Sequence, residues 1–378
     1  MIDISVIVPL YRGKKYIPQV ISQIEGGSRA CSDLMVELLF INDCPDEHIE
    51  TVESDEIMIK VYNTKINRGI QRARIRGCEL AQGEYVLMLD QDDEVKEEYF
   101  KSQLLHMKSC NADASVCKAL DEKRELYNES NPFCNVKSLE YLINTGNPIV
   151  SPGQVLMRKD AISQIWKEGI LKYNGADDWL LWISMLAEGK KFVLNDAVLY
   201  EHIVNGENAS LNTQKMLLSQ QNVCEVICST NILNDSEKTE LRELINKEHS
   251  RYITLLEKFR QMFFLYEKWM RAQKRISIDC FLKKMGYKRI AVYGLGYLGR
   301  QMVYQLSNTD VEIVCAIDQN AASIGLDVPL CTLEEFHYQV DLVIVTVLGD
   351  TTQIIEALNG FMTNVVILNN LLDIWEKE

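Results

Sequence analysis

Residues 85–95 read YVLMLDQDDEV, an apolar run that passes directly into three carboxylates, Asp90, Asp92 and Asp93. The apolar part is typical of a buried strand, which places the carboxylates at its carboxyl end. In a parallel α/β sheet, ligands bind outside the carboxyl ends of the strands. A divalent cation such as Mg²⁺ or Mn²⁺ relieves the repulsion in such a cluster, and it typically takes one or two carboxylates plus substrate phosphate oxygens. An acidic turn, with Asp90 or Asp92 capping the next helix, fits these residues alone equally well.

The size and charge of the chain limit the alternatives. Its 378 residues exceed what one hydrophobic core usually serves, so we expect two or three domains. A net charge of -14 argues against nucleic acid as a partner. The 11 cysteines include no CxxC pair, and the first residues lack the pattern of a signal peptide, so we expect reduced thiols in a cytoplasmic protein. No apolar run reaches the roughly 18 residues of a membrane span, so we expect any membrane contact to be peripheral, at the inner face.

The first half of the chain alternates short β-rich runs with helical patterns. This alternation predicts an α/β domain with a mainly parallel sheet and helices on both faces. The predicted strands are ISVIVPL (4–10), VELLFI (36–41), IMIKVYN (57–63) and YVLMLD (85–90). The segment GIQRARIRGCELAQG (69–83) is predicted to be a helix that stops at Gly83.

Residues 212–286 form a charged segment with a helical pattern and without obvious strands. Apolar residues spaced by three and four form one stripe there: Tyr252, Leu255, Phe259, Met262, Tyr266 and Trp269. The stripe predicts packing between domains. A homo-oligomer formed through a short coiled coil is the alternative.

Two further segments accompany the acidic strand end in a characteristic order. They are SVIVPLYRGKKYIPQVISQI (5–24) and LLFINDCPDE (38–47), followed by NRGIQRARIRGCELAQGEYVLMLDQDD (67–93). This order strongly resembles glycosyltransferase family 2, the inverting enzymes with the GT-A fold, over residues 1–211. The resemblance implies a metal-dependent hexosyl- or N-acetylhexosaminyl-transferase. Such an enzyme moves a sugar from a nucleotide-diphosphate donor, with a UDP-sugar favoured, to a glycan or lipid-linked acceptor in polysaccharide biosynthesis.

The same resemblance assigns residues to the donor nucleotide. Pro9 and Tyr11 fall where the first strand meets the base and ribose. Asp43 matches an aspartate that contacts uracil or ribose. The aspartate that precedes it in the family is replaced by Asn42, whose amide can both donate and accept, and this leaves the base preference open.

A second group of matching residues lies near the diphosphate and the sugar. Asn67, Gly69 and Arg74 match the family's NxGxxxxR element, whose guanidinium is expected to steady the diphosphate. As residues alone, Asn67 and Gly69 fit a turn, and Arg74 fits a solvated helix position. Ser151 and Gly153 either approach the donor sugar or form a plain turn.

Asp90 and Asp92 correspond to the family's DxD pair. The resemblance implies that Asp92 contacts the metal and that Asp90 contacts the metal, sugar or ribose, while Asp93 is expected to cap a helix or support its neighbours. Members of the family commonly carry a histidine after the last strand that reaches the metal or diphosphate. Here the matching position holds Asn205, and His202 lies three positions earlier. His202 is a candidate metal ligand, although on a strand an odd offset turns it to the opposite face.

The catalytic base is expected in YNGADDWLLWISMLAEGKKFVL (173–194), which resembles the family's acidic pair at the start of a helix. Inverting transfer needs one carboxylate to take the proton from the acceptor hydroxyl. Asp178 is the first choice for that base and Asp177 the second, and one of them is also expected to cap the helix. Trp179 is predicted to line the acceptor site and Trp182 to lie in the core.

The last 92 residues, 287–378, predict a small Rossmann-like unit. The segment KRIAVYGLGYLGRQMVYQL (288–306) reads as strand, glycine turn and helix, and the next strand ends at Asp318. The turn carries a GxGxxG pattern made by Gly294, Gly296 and Gly299. Such glycines let a pyrophosphate approach the backbone, while the acid binds ribose hydroxyls. The pattern predicts binding of NAD or a nucleotide-sugar, and it resembles nucleotide-binding domains that accompany polysaccharide-biosynthesis enzymes.

The sequence therefore predicts a GT-A domain at 1–211, a helical connecting region at 212–286 and a Rossmann-like domain at 287–378. Two alternatives to a transferase remain. One is a non-catalytic nucleotide-sugar-binding or scaffold protein, which Asn42 and Asn205 favour. The other is an NAD-dependent sugar oxidoreductase that uses the C-terminal domain.

Overall fold

The computed structural model describes residues 2–205, 212–320, 325–360 and 364–378. It divides into two compact units, Met1–His249 and Ser250–Glu378. The predicted region 212–286 consists of three helices with short turns between them. The division falls inside the longest of these helices, and the predicted domain bounds stay a prediction.

The N-terminal unit is built on one sheet of nine strands. Strands β1 to β9 are Ile4–Leu10, Val36–Asn42, Met58–Asn63, Tyr85–Met88, Glu94–Val95, Ala114–Asp121, Arg124–Glu125, Val155–Arg158 and Phe192–His202. Their order is β3-β2-β1-β4-β8-β6-β9-β5, with β7 paired to β6. The first four strands are parallel, whereas β8 runs antiparallel to β4 and β6, and β5 antiparallel to β9. The predicted α/β class is confirmed, but the sheet is mixed rather than mainly parallel.

Helices cover both faces of this sheet. Helices α1 to α7 are Ile17–Arg29, Ile70–Leu80, Tyr99–Cys110, Leu139–Thr145, Gln164–Glu168, Asp177–Ala187 and Thr213–Cys228. Successive side chains of β1 point to opposite faces. Ile7 therefore lies in a core shared with α2 and α6, while Val6 and Val8 lie in a second core shared with α1 and α3.

The predicted stop of α2 at Gly83 is wrong, because the helix ends at Leu80. Gly83 instead lets the chain pass close to β1. Its N–H donates to Ser5 Oγ at 2.8 Å, and a Cβ at this position would lie 2.7 Å from the backbone nitrogen of Ser5.

Parallel pairing brings the carboxyl ends of three strands to one edge of the sheet. Leu10 in β1 is aligned with Asn42 in β2, and Ile7 is aligned with Met88 in β4. The residues that follow these strands therefore share that edge, and they include Tyr11, Asp43 and Asp90. This is the arrangement that the strand patterns predict.

The longest helix, α8 (Asp235–Gln273), carries the predicted apolar stripe. Trp269, at the carboxyl end of the stripe, is buried in the core of the C-terminal unit. Leu255, Phe259 and Tyr266 are about half exposed. Core packing therefore explains only part of the stripe, and self-association stays a prediction. No helix in the described ranges is both long and apolar enough to cross a membrane.

The C-terminal unit has a second sheet of five strands, and all of its strand pairs are parallel. Strands β10 to β14 are Arg289–Tyr293, Glu312–Ile317, Leu330–Cys331, Leu342–Val345 and Val365–Ile367, in the order β12-β11-β10-β13-β14. Helices α9 to α12 are Ile278–Lys284, Tyr297–Leu306, Thr352–Asn359 and Leu368–Trp375. The predicted strand, glycine turn and helix are thus present.

The three glycines of this turn differ in what they require. Gly294 has a φ of +89°, which favours glycine. A Cβ at Gly299 would lie 1.9 Å from the carbonyl oxygen of Gly294, whereas one at Gly296 would meet nothing within 4 Å. Gly299 therefore permits close packing inside the turn, and Gly296 leaves open space at the start of α10.

We expect Gly299→Ala to destabilise the C-terminal unit by about 1–3 kcal/mol, because the added methyl overlaps backbone. Gly296→Ala should cost less than about 1 kcal/mol, which corresponds to replacing a favourable helix N-cap residue. Hydrogen–deuterium exchange of β10 in the two variants measures this difference. Equal protection in both variants would contradict the packing described for Gly299.

Candidate active site

The loop before α2 is organised by Asp43. Its carboxylate accepts hydrogen bonds from the backbone N–H groups of Arg68, at 3.0 Å, and Gly69, at 2.6 Å. The Asn67 side chain accepts a further bond from the Gly69 N–H at 3.0 Å. Gly69 has a φ of +88°, and a Cβ there would lie 2.7 Å from Asn174 Oδ1. The structure thus brings Asp43, Asn67 and Gly69 together, and all three shape the turn, while their role near the donor nucleotide stays a prediction.

Asn42 lies beside this loop and is buried. Its amide group donates to the backbone oxygen of Glu47 at 2.5 Å and to Asn63 Oδ1 at 2.8 Å. Its side-chain oxygen accepts from the Cys44 N–H at 3.1 Å. An aspartate could not make the two donor contacts, so the amide has a structural function at this position.

The end of β1 is tied to the acidic segment by Gln91. The backbone N–H of Tyr11 donates to Gln91 Oε1 at 3.1 Å. Gly13 gives the amide room, since a Cβ there would lie 2.1 Å from the same oxygen. Pro9 is buried in β1, and the Tyr11 side chain is 49% exposed. The Tyr11 ring is thus largely exposed beside the acidic segment that Gln91 belongs to, and its contact with a base stays a prediction.

Arg74 is located differently from the predicted diphosphate contact. Its guanidinium is 3% exposed and lies between two carboxylates. Nη1 donates to both oxygens of Asp177, at 2.8 and 3.0 Å, and Nη2 donates to Asp90 Oδ1 at 2.5 Å. These carboxylates raise the pKa of Arg74 against the effect of burial, so the group stays cationic. Arg74 therefore connects the acidic strand end to the acidic helix start.

Asp90 is fully engaged by protein groups. Its second oxygen accepts a hydrogen bond from Ser151 Oγ at 3.1 Å, and Ser151 is itself buried. Gly153, two residues later, has no room for a Cβ, which would lie 2.3 Å from the Tyr200 ring. These contacts fix the Asp90 carboxylate, and its predicted contact with metal, sugar or ribose stays a prediction.

Asp92, like Asp90, is partly exposed. Its Oδ2 accepts a hydrogen bond from the side-chain amide of Asn205 at 2.6 Å, and the same amide donates to the Tyr16 hydroxyl at 3.2 Å. Burial, followed by the nearby charge of Asp90, raises the pKa of Asp92. Asn205, which lies where the resembled family has histidine, thus contacts Asp92. Gly206, which follows it, lies outside the described residues.

His202 is turned toward another partner, as its odd offset along β9 predicts. Its Nδ1 lies 2.8 Å from Asp121 Oδ1. Burial lowers the pKa of His202, but the hydrogen bond with Asp121 and the charges of Asp93, Asp121 and Asp90 raise it overall. Its assignment as a metal ligand stays a prediction, and this contact does not favour it.

Asp93 does not cap a helix, since α3 begins at Tyr99. Its buried carboxylate accepts hydrogen bonds from the Tyr200 hydroxyl and, at 2.9 Å, from the Ile203 N–H. Burial, followed by the charge of Asp90, raises the pKa of Asp93 to about 7. Asp93 thus ties the acidic segment to β9 and the segment that carries Asn205.

The candidate base lies at the start of α6. Asp178 is 8% exposed, and its carboxylate accepts from Asn147 Nδ2 and from the Trp179 N–H, both at 2.8 Å. Burial and the neighbouring charge of Asp177 raise the pKa of Asp178 to about 7, although Arg74 acts in the opposite direction. Asp177 is 2% exposed and is held by Arg74. Asp178 is therefore the better placed of the two to exchange a proton near neutral pH.

Two expectations for this helix are wrong. Neither aspartate caps it, because the N-cap residue is Ala176 and both carboxylates follow it. Trp179 is buried, and its indole N–H donates to the Leu142 carbonyl at 3.2 Å, so it does not line an acceptor site. Trp182 lies in the core, as predicted. Asn147, which orients Asp178, was not identified from the sequence because nothing local distinguishes it from a turn asparagine.

We tested whether these residues fit a divalent cation. Among the described residues, no three or more His, Cys, Asp or Glu side chains are grouped so that they could hold a metal by themselves. Asp92 is partly exposed, and the nearby charge of Asp90 contributes, after burial, to its raised pKa. A cation bound beside the two carboxylates would relieve this repulsion. The residues therefore fit a cation held by Asp92 together with phosphate oxygens of a ligand, and not one enclosed by protein ligands alone.

Comparison with known families identifies the N-terminal half. Residues 5–166 match the family model described as "Glycosyl transferase family 2". The matched segment is 162 of the 378 residues, and it is similar to glycosyltransferase family 2. It contains the Asp43 loop, Arg74 and the acidic strand end, whereas Asp178 and Asn205 lie beyond its last matched residue.

Curated relatives of this chain include two proteins named for cell-wall polymers. "Minor teichoic acid biosynthesis protein GgaB" of Bacillus subtilis is 24% identical over 290 residues, 73% of this chain and 30% of that protein. "Poly(ribitol-phosphate) beta-N-acetylglucosaminyltransferase TarS" of Staphylococcus aureus is 27% identical over 122 residues, 31% of this chain and 21% of that protein. The chain thus spans less than a third of the length of these relatives.

One solved structure aligns with part of this chain. The crystal structure of residues 1–349 of TarS from S. aureus in complex with UDP-GlcNAc aligns with 66% of this chain and 73% of that one. The identity is 19% and the TM-score is 0.47.

Proposed function

We propose that the N-terminal unit is an inverting glycosyltransferase that moves a sugar from a nucleotide-diphosphate donor, with a UDP-sugar favoured, to a glycan or lipid-linked acceptor of the cell envelope. The match of residues 5–166 to the family model supports sugar transfer, and the names of the relatives support cell-wall polysaccharide biosynthesis. We expect a cytoplasmic protein that contacts the inner face of the membrane peripherally.

One observation carries this proposal more than any other. Arg74 bonds both Asp90, at the acidic strand end, and Asp177, at the start of α6. Asp178 directly follows Asp177, so the proposed base is held in fixed relation to the donor side of the site. Loss of either carboxylate would leave the buried guanidinium without full compensation, so the network keeps the two sides of the site in register.

The residues then divide the chemical task. Mn²⁺ or Mg²⁺, when bound with the donor, would neutralise the leaving diphosphate. Asp92 would hold that cation and Tyr11 would contact the base. Asp178 would take the proton from the acceptor hydroxyl as the acceptor oxygen attacks the anomeric carbon. Arg74 orients Asp177 and Asp90, and a single displacement of this kind inverts the anomeric centre.

Asn205 takes the place of the family's histidine in this proposal. Its amide reaches Asp92, and an amide oxygen is a suitable ligand for a hard cation. We infer that Asn205 positions Asp92 and does not replace it. The absence of histidine at this position therefore does not by itself favour a non-catalytic protein.

The pH dependence of transfer follows from Asp178. Only the ionised carboxylate accepts a proton, and burial raises its pKa to about 7. We expect kcat/KM to be about tenfold lower at pH 6 than on a plateau above pH 8. The pKa of Asp178 is higher in the folded protein, at about 7, than in the unfolded chain, at 3.8. Its contribution to the free energy of unfolding is therefore fully present below pH 3.8 and is lost as the pH rises through 7. A profile that is flat from pH 6 to 8 would exclude Asp178 as the base.

Hydrolysis of a panel of nucleotide sugars, with and without Mn²⁺, tests the proposed function itself. Metal-dependent release of the nucleoside diphosphate supports the transferase. Donor binding without turnover at any pH would favour the alternative, a non-catalytic nucleotide-sugar-binding or scaffold protein.

For the C-terminal unit we propose a separate nucleotide site, because Gly296 leaves space at the start of α10 that no neighbouring atom of the described residues fills within 4 Å of its missing Cβ. Asp318 bonds the turn, with its carboxylate accepting from the Leu295 N–H at 2.7 Å. A ribose would have to share Asp318 with this contact. Fluorescence titration with NAD(H) and UDP-sugars tests this site. Binding of either ligand supports a nucleotide site, and NAD-dependent oxidoreduction requires binding of NAD(H). Binding of neither ligand supports a purely structural role.

A further inference from the structure

A cavity beside α2 is strongly basic although the whole chain has a net charge of -14. It has a volume of about 490 Å³. Five of the side chains that line it are cationic: Lys65, Arg68, Arg72, Arg76 and Lys167. Positive charge gathered in a concave site attracts anions far more than the same charge spread over a surface.

The acidic groups of this cavity do not neutralise it. Asp43 is occupied by the backbone N–H groups of the loop before α2. Glu79 accepts from Arg76 at 2.9 Å, in an exposed ion pair. The other four cationic side chains form no ion pair with any residue in the part of the chain that the structure describes. In contrast, Lys60 of the neighbouring strand is paired with Glu37 at 3.1 Å.

The arrangement of the arginines indicates the shape of the anion. Arg72 and Arg76 are four residues apart on one face of α2, so they are about 6 Å apart along the helix axis. Arg68 comes four residues before Arg72. Each guanidinium can bind one phosphate group through two N–H donors. A row of this kind suits a flexible chain with repeated phosphate groups better than one compact anion.

The rest of the lining suits the uncharged parts of such a chain. Ile41, Ala73, Ile75 and Ile170 give the cavity an apolar floor below the cationic side chains. Arg74, by contrast, is buried in the network with Asp90 and Asp177. The two arginine sets thus belong to different faces of a helix that is about 10 Å wide.

We propose that this cavity, which Asp43 also lines, binds the phosphodiester backbone of a phosphate-bearing acceptor polymer. The proposal rests on the proposed transferase function, because it supplies that enzyme's acceptor. A polymer chain is favoured over a lipid surface because a chain can enter a concave cavity, whereas a bilayer touches only groups that protrude.

Binding of short-chain inorganic polyphosphate to the full chain tests the proposal without any donor. We expect Arg72→Glu/Arg76→Glu to weaken polyphosphate binding at least tenfold. The slope of log K against log salt concentration should become shallower by about 0.7 for each phosphate that is no longer bound. The matched control is Lys101→Glu/Lys108→Glu on the exposed side of α3, which changes the net charge equally. It should change affinity less than twofold. Arg72→Gln/Arg76→Gln, which adds no acid, should show an intermediate decrease in affinity.

Three results would overturn the proposal: no polyphosphate binding by the wild-type chain, equal weakening in both Glu variants, or binding to phosphatidylglycerol vesicles but not to polyphosphate. The failure of the two proposals can be distinguished. A chain that binds polyphosphate at this cavity but hydrolyses no nucleotide sugar retains the anion site and loses the transferase assignment. A chain that hydrolyses the donor but does not bind polyphosphate retains the transferase assignment and loses the proposed anion site.

Discussion

Replacing Asp178 by Asn is expected to lower kcat by about 10²- to 10⁴-fold, the usual contribution of a positioned general base. The reason is geometric as well as chemical. Asn147 and the Trp179 N–H hold the Asp178 carboxylate in place, and its pKa of about 7 keeps a basic form available at neutral pH. An amide of the same size fills the position but cannot take the acceptor proton. Donor affinity, measured by calorimetry with UDP and Mn²⁺, should change little.

Asp196→Asn is the control for this experiment, because Asp196 is exposed and pairs only with Lys118 at the surface. It should leave kcat within twofold of the wild type. If Asp178→Asn retains more than a tenth of the wild-type kcat while Asp177→Asn does not, the base has been assigned to the wrong aspartate.

Replacing Arg74 by Met is expected to destabilise the N-terminal unit by about 3–5 kcal/mol, because it leaves buried charge without compensation. Asp177 is almost fully buried and would keep no cationic partner, and Asp90 would no longer have its shortest hydrogen bond. Methionine fills most of the volume, so packing alone should not produce this destabilisation. Urea denaturation of the N-terminal unit, followed by tryptophan fluorescence, measures the change.

The control lies two residues away on the same helix. Arg76→Met removes a guanidinium that is exposed and paired with Glu79 at the surface, so we expect a change of about 0.5 kcal/mol or less. Adding Asp177→Asn to Arg74→Met should recover part of the stability. A similar destabilisation by both arginine variants, or no recovery in the double variant, would show that the buried network is not the cause.

Much of the fold could be predicted from the sequence because its strands have a clear local pattern. The apolar runs that end at Leu10, Asn42 and Met88 are bounded by turns, and the strand edge where their carboxyl ends meet follows from parallel pairing. The antiparallel strand β8 could not be predicted in the same way. Its four residues pair with strands far apart in the sequence, and short apolar runs of this kind do not reveal their direction.

The candidate site shows a similar limit. The motifs identify Asp90, Asp92 and Asp178, but not the contacts that decide their roles. Arg74 was expected at the diphosphate, and only the three-dimensional structure shows that its guanidinium is buried between Asp90 and Asp177. Asn147 reaches Asp178 across 31 residues of sequence. Such long-range polar contacts have no local periodicity from which they could be inferred.

The central claim is that the acidic end of β4 holds a divalent cation together with the donor diphosphate. Calorimetric titration of UDP into wild-type protein and Asp92→Ala, each with and without Mn²⁺, tests it most directly. We predict that Mn²⁺ strengthens UDP binding to the wild-type protein and has no effect on the binding of UDP to Asp92→Ala. Equal, metal-dependent UDP binding by both proteins would contradict the claim.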